Sequence, residues 1–115
     1  MSRGIGANAY IAYQDNEIIT YAYGGYNLNK VELRNKEQIK DGLIIIKREC
    51  FDKWTVGETY RMCVEGLIKV KNCSNCWWIT NDDLKIDMMT LYVLYKIFIT
   101  YETENSIPQK VSYNV

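Results

Sequence analysis

The chain is predicted to fold as an α+β domain, an antiparallel sheet begun by an N-terminal hairpin with one long amphipathic helix packed on it. Three observations carry that expectation. Half of the ten tyrosines fall between Tyr10 and Tyr26, in two β-branched and aromatic runs on either side of a polar break at Asp15-Asn16. Leu43-Ile44-Ile45-Ile46 is a short, continuous apolar run after the turn signal Asp41-Gly42, as suits a buried strand. Further on, Leu84, Met88, Leu91, Tyr92, Tyr95, Phe98 and Ile99 recur at three- and four-residue intervals, the period of a helix with one buried stripe.

Residues 9–14 and 17–23 are rich in the side chains that fit a pleated surface. Asp and Asn tolerate the left-handed backbone of tight turns, so Asp15-Asn16 is expected to be a two-residue loop. A four-residue loop over 14–17 would keep the same register. Gln14 then pairs with Glu17, Tyr10 faces Tyr21, and Tyr13 faces Ile18. One face would carry Ala9, Ile11, Tyr13, Ile18 and Ala22; the other would carry Tyr10, Ala12, Ile19, Tyr21 and Tyr23. Neither is plainly polar, so partial cover on both sides is expected. Most of these rings read as core with hydroxyls at its rim. If the helix leaves their face open, Tyr10, Tyr21 and Tyr23 form a candidate partner-binding surface, because Tyr offers a large contact area with only two torsions to freeze.

The other elements follow from local signals. Gly24-Gly25 is expected to end or kink the second strand. Residues 26–38, polar and punctuated by asparagines, read as loop with at most one helical turn. Residues 58–65 are assigned a short helix and 67–71 a strand. Cys76-Trp77-Trp78-Ile79 would extend the sheet after a turn at Ser74-Asn75. The long helix is placed at 82–103, with Asn81 or Thr80 as its cap and Asp82 and Asp83 complementing the helix dipole. It should end before Ser106-Ile107-Pro108, since proline restricts the residue ahead of it. A strand through 92–101, where β-branched residues are frequent, is the competing assignment. Residues 109–115 return as a final strand.

At 115 residues, with 48% hydrophobic and 24% charged side chains, the composition is ordinary globular usage. With a single proline and no repeat or linker, one domain over residues 1–115 is expected. Fourteen basic and fourteen acidic residues cancel. That balance argues against a general nucleic-acid binder, which needs a basic surface to displace counterions. Residues 30–71 lean basic and 82–104 lean acidic, a bias that solvated faces explain and that would also orient a partner. Met1-Ser2-Arg3-Gly4-Ile5-Gly6 lacks the apolar core of a signal peptide. The longest apolar stretch, 88–100, is too short to span a bilayer and contains Lys96. A cytoplasmic location, no membrane partner and reduced cysteines are therefore expected.

Candidate chemistry is sparse. Cys73-Ser74-Asn75-Cys76 is the one short motif with a reactive reading; with Cys50 and Cys63 it offers four thiols, the number a tetrahedral zinc site requires. Structural zinc sites usually bring two paired knuckles, however, and only one pair is present. A thiol-redox role would want the pair at a helix start, whereas Trp77-Trp78-Ile79 follows. Gly4-Ile5-Gly6-Ala7-Asn8-Ala9 fits a permissive dinucleotide fingerprint but lacks the preceding strand and following helix. The absence of histidine removes the commonest general base and every histidine-containing triad. Asp83 and Asp87, four residues apart, read as helix-start charges rather than a catalytic pair. No enzymatic activity and no cofactor are expected.

Trp77 and Trp78, on a strand, would point to opposite faces, so one of them needs cover from a helix, a partner or a second copy of the chain. Trp77 thus joins the three tyrosines as a candidate interface residue, since Trp and Tyr are enriched among binding hot spots. The segments Gly4-Ile5-Gly6-Ala7-Asn8, Tyr23-Gly24-Gly25-Tyr26-Asn27-Leu28-Asn29, Asn72-Cys73-Ser74-Asn75-Cys76-Trp77 and Val111-Ser112-Tyr113-Asn114-Val115 resemble a small family of uncharacterised bacterial proteins, a resemblance that implies no activity. In size and character the chain also resembles the small cytosolic immunity proteins of bacterial toxin systems. The expected function is a non-enzymatic protein-binding domain, a toxin-neutralising immunity protein in its most concrete form. The alternatives are a metal-binding or thiol-redox protein using Cys73 and Cys76, and a small-ligand binder with a tyrosine-rich face.

Overall fold

The hairpin forms the middle of a five-stranded, wholly antiparallel sheet. The computed structural model describes residues 3–115, so that Met1 and Ser2 of the opening segment lie outside them. The strands are β1 (Ile5–Gln14), β2 (Ile18–Asn27), β3 (Gly42–Lys47), β4 (Ile68–Lys71) and β5 (Lys110–Asn114), in the order β4-β3-β2-β1-β5. Two short helices, α1 (Glu49–Lys53) and α2 (Thr59–Val64), connect β3 to β4. The long helix α3 (Met88–Glu104) lies against β1 and β5, and the expected α+β class is observed. Among the described residues, no helix is long and apolar enough to cross a membrane.

The register of the hairpin differs from expectation in two places. Asp15 N donates to the Ile18 carbonyl at 3.0 Å, so Asn16-Glu17, not Asp15-Asn16, is the loop. The Asp15 carboxylate causes the shift by accepting from Glu17 N at 2.8 Å and Ile18 N at 2.9 Å, a side-chain turn that takes the place of a backbone one. A bulge at Ala12 then slips the ladder again: Tyr13 pairs with Thr20 but Ile11 with Tyr21 and Tyr10 with Ala22. A one-residue slip moves side chains to the opposite face. Tyr21 and Tyr23 therefore share a face with Ala7, Ala9, Ile11 and Ile19, while Tyr10 lies on the other.

The Tyr21–Tyr23 face is the one that the helices cover. Ile19, Tyr21, Tyr23, Ile44 and Ile46 are fully buried there against Met89, Val93, Leu94 and Ile97 of α3. Phe51 of α1 and Trp54 extend the same core, with Trp54 stacked on Phe98 at 5.2 Å. The buried face of α3 matches the predicted stripe only in part: Phe98 is buried and Leu91, Tyr92 and Ile99 pack at the edge of the core, but Tyr95 and, ahead of the helix, Leu84 are exposed, and Met89, Thr90, Val93, Leu94 and Ile97 lie inside. A helix that is apolar on most sides gives periodicity little with which to choose a face.

Four further expectations are corrected. The long helix starts not at 80–82 but after Asp87, its cap; residues 81–86 form turns organised by the Asp82 carboxylate, which accepts from Thr80 Oγ1, Leu84 N and Lys85 N. Residues 76–79 add no strand to the sheet, making only an isolated bridge between Ile79 and Asp87. Trp77 and Trp78 stack on each other at 5.8 Å instead of dividing between faces. Gly24-Gly25 does not end β2, which continues to Asn27.

Beyond the β3 partner Gly42, the end of β2 needs other hydrogen bonds. The Gly25 carbonyl accepts from the side-chain amides of Asn35 at 3.1 Å and Asn75 at 2.8 Å. Asn35 also closes on Ile39, giving to its carbonyl and accepting from its N–H. The loop over residues 28–41, with one 3₁₀ turn at Val31–Leu33, is thereby held across β2, and a Cβ on Gly24 would collide with the Ile39 carbonyl. Gly24→Ala should accordingly lose about 1–3 kcal/mol of unfolding free energy in a denaturant titration. A variant as stable as the wild type would show that the loop does not rest on β2.

Candidate functional site

Two places concentrate polar chemistry. The first is internal, at the start of α3. Asp87, 1% exposed, caps the helix by accepting from Met89 N at 3.0 Å through Oδ1. Its Oδ2 accepts from the Tyr23 hydroxyl at 3.0 Å and from the Cys73 thiol at 3.6 Å, and the Cys76 thiol hydrogen-bonds the same carboxyl group. Tyr23 in turn accepts from Cys73 N at 3.0 Å, and Asp87 N donates to Asn72 Oδ1 at 2.9 Å. The cysteine pair, the centre of β2 and the helix start are thus joined at one carboxyl group.

Burial sets the titration of this cluster. It raises the Asp87 carboxyl above the usual carboxylate range, against the lowering pull of the hydrogen bonds it accepts. Burial likewise raises Cys73, and it pushes Cys76, which also lies beside Asp87, up to about 12. Cys63 is pushed up to about 11 and Cys50 is raised, both chiefly by burial. All four thiols are free and protonated at neutral pH, which makes them weak nucleophiles. They do not converge: Cys50 and Cys63 belong to α1 and α2, while Cys73 and Cys76 surround Asp87. Among the described residues, no group of three or more Cys, Asp or Glu side chains is arranged to hold a metal ion.

The second place is a trough of about 720 Å³ on the face of the sheet that no helix covers. Its floor carries Asn8 and Tyr10 of β1, Tyr26 of β2 and Ser112 of β5. Ser112 Oγ donates to Asn8 Oδ1 at 2.7 Å, and the Tyr26 hydroxyl donates to Asn114 Oδ1 at 2.5 Å. One wall is the loop pinned by Asn35, which brings Arg34, Lys36 and Lys40; Lys110 stands on β5 opposite. No acidic side chain lines the trough. Among the described residues, the ion pairs are Glu49–Lys53 and Glu58–Arg61–Glu65 on α1 and α2, and none includes a trough cation. Arg34 gives only Nε, to the Leu28 carbonyl at 3.2 Å, and Lys40 gives Nζ to the Gln38 carbonyl at 3.4 Å.

The candidate interface residues are therefore separated. Tyr21 and Tyr23 are 0% exposed and inaccessible to any partner, while Tyr10, 42% exposed, lies in the trough. Trp77 is partly buried against Trp78, with its indole Nε1 enclosed and without a hydrogen-bond partner among the described residues. The basic bias of residues 30–71 was visible in the sequence, but not the gathering of three of its cations opposite Lys110. That arrangement depends on the path of the loop. No protein-family model, curated protein or solved structure matches the chain.

Asp87→Ala would leave the Tyr23 hydroxyl and Met89 N–H unpaired in the interior, and is expected to lose about 2–4 kcal/mol of stability. Because the folded pKa of Asp87 is raised, its contribution is fully present below the unfolded value near about 3.9 and is lost as pH rises through the folded value. The stability advantage of the wild type over Asp87→Asn should therefore widen as pH falls through that window. Asp15, Asp41 and Asp82, whose pKa values are lowered, act alike in both proteins and cancel from the difference. Thiol labelling of the native protein at pH 7 should run at least about tenfold slower than that of free cysteine for every site; rapid labelling of Cys76 would contradict its protonated state.

Proposed function

We propose that the protein is a non-enzymatic binding domain of the cytoplasm that recognises another protein through the trough on the open face of the sheet. The observation that carries this reading is the trough itself: a concave, polar-floored surface built on three paired strands, bounded by a loop that three hydrogen bonds of Asn35 hold in place. Sites on strands keep their geometry better than sites on free loops, and Tyr10 adds an accessible ring to the floor. The most concrete version is a toxin-neutralising immunity protein, in agreement with the resemblance in size and character noted above.

The thiol-redox and metal alternatives have less support, because the cysteines divide between two regions and are held protonated. The small-ligand alternative loses Tyr21 and Tyr23 to the core and retains Tyr10 with Tyr26.

The test is a steric block. Ser112→Trp would fill the trough from an exposed position of an edge strand, while Tyr95→Ala removes an exposed ring from α3, outside it. In native pull-downs from the source cells, the wild type and Tyr95→Ala should recover the same partner and Ser112→Trp should lose it. For the immunity version, that partner is a toxin, and the blocked variant no longer protects cells from it. Equal recovery by Ser112→Trp, or recovery of free protein alone in every case, would count against the trough.

A further inference from the structure

We infer that the trough binds an extended acidic segment of its partner, with carboxylates at more than one position, engaged by Arg34, Lys36, Lys40 and Lys110. This rests on the reading of the trough as the recognition surface and names the chemistry of what fills it. Two features lead there, charge and shape.

The charge is local. The chain as a whole is neutral, with fourteen cations and fourteen anions. The trough nevertheless gathers four cations and no anion, and none of the four has an ion-pair partner among the described residues. Arg34, Lys36 and Lys110 are exposed, which leaves their charges to solvent or to a ligand. On the opposite edge, Lys69 and Lys71 of β4 serve the ordinary purpose of edge lysines, discouraging strand addition. Lys110 differs in facing three further cations across a concave surface. Charges of one sign lining a cleft raise the local concentration of an oppositely charged partner and speed its encounter.

The shape is elongated. In the sheet register, Tyr26 lies opposite Gly6, Ser112 opposite Asn8 and Lys110 opposite Tyr10. The floor therefore runs from position 6 to position 10 of β1, about 13 Å at the usual rise per residue. A single compact anion needs donors that converge on one point. A floor of this length, with cations on the loop side and on β5, instead fits about four residues of extended chain whose acidic side chains reach both rims. Asn8, Ser112 and the two tyrosine hydroxyls give its backbone hydrogen-bonding partners. A nucleic acid would require a basic surface that continues past the trough, and the neutral chain does not favour one.

The experiment titrates the full-length, ¹⁵N-labelled protein with an eight-residue peptide alternating Asp or Glu with Ala, and with its Asn/Gln counterpart. The acidic peptide should shift the amide signals of Asn8, Tyr10, Ser112 and residues 34–40 saturably, and the neutral counterpart should not. Affinity should fall at least about tenfold between low salt and about 0.3 M salt, as exposed charges become screened. Lys36→Glu/Lys110→Glu should weaken binding at least about tenfold with an otherwise native spectrum, whereas Lys36→Arg/Lys110→Arg should retain it. No saturable shift, or equal binding by the neutral peptide, would overturn the inference. So would a single-stranded oligonucleotide that displaces the peptide. The Ser112→Trp pull-down separates the two levels: a partner lost on steric block but indifferent to charge reversal keeps the trough and rejects the acidic segment.

Discussion

The structure depends on one buried carboxyl group. Asp87 is the point at which the loop carrying Cys73 and Cys76, the central strand β2 and the first turn of α3 are tied together. Enclosing a carboxyl group is unfavourable unless its oxygens find donors, and here they find a backbone N–H, a phenol and two thiols. The arrangement also explains the neighbouring choices. Tyr23 can reach Asp87 because its ring lies across Gly42 on β3, where any Cβ would collide with it. The helix begins at Asp87 because only there does a side chain both cap the backbone and meet the sheet.

The face of the sheet that this tie selects leaves the other face free to do something else. With α3 drawn onto Tyr21 and Tyr23, the Tyr10 side receives no helix, only the loop between β2 and β3. That loop is fastened over the end of β2 where β3 has already stopped, and the fastening uses amide side chains instead of apolar ones. Because it stops over β2, it leaves β1 and β5, with Tyr26 of β2, as an open floor. The trough is thus a consequence of unequal strand lengths, with β2 running four residues past the last residue that β3 pairs.

Much of this was legible in the sequence, and the failures share a cause. The hairpin, the strand at 43–46, the short helix near 59–64, the long helix and the final strand all follow from local composition. The hairpin register did not, because Asp15 can cap a turn as well as occupy one, and a bulge at Ala12 leaves no mark in composition. That slip divided the three tyrosines, setting exposed Tyr10 on one face and Tyr21 and Tyr23 on the face that α3 buries. The helix start moved from residues 80–82 to 87 because Thr80, Asn81 and Asp87 are all suitable caps by type; among them Asp87 has Tyr23 beneath it. The cations of the trough were visible as a basic bias, but their convergence depends on contacts far apart along the chain.

Strongly perturbed titrations usually draw attention to a site, and here several of them gather at a cluster closed to solvent. Four of the groups with raised pKa values, Asp87, Tyr23, Cys73 and Cys76, are displaced chiefly by burial and meet across three structural elements. A carboxyl group 1% exposed, with its oxygens already occupied, meets no substrate unless the helix start opens. Its perturbation is that of an internal fastening. The trough cations are the reverse case: Arg34, Lys36 and Lys110 are exposed, and none of the four cations makes an ion pair among the described residues. The buried carboxyl group and the trough lie on opposite faces of one sheet, so anything seated in the trough would leave the Asp87 cluster closed.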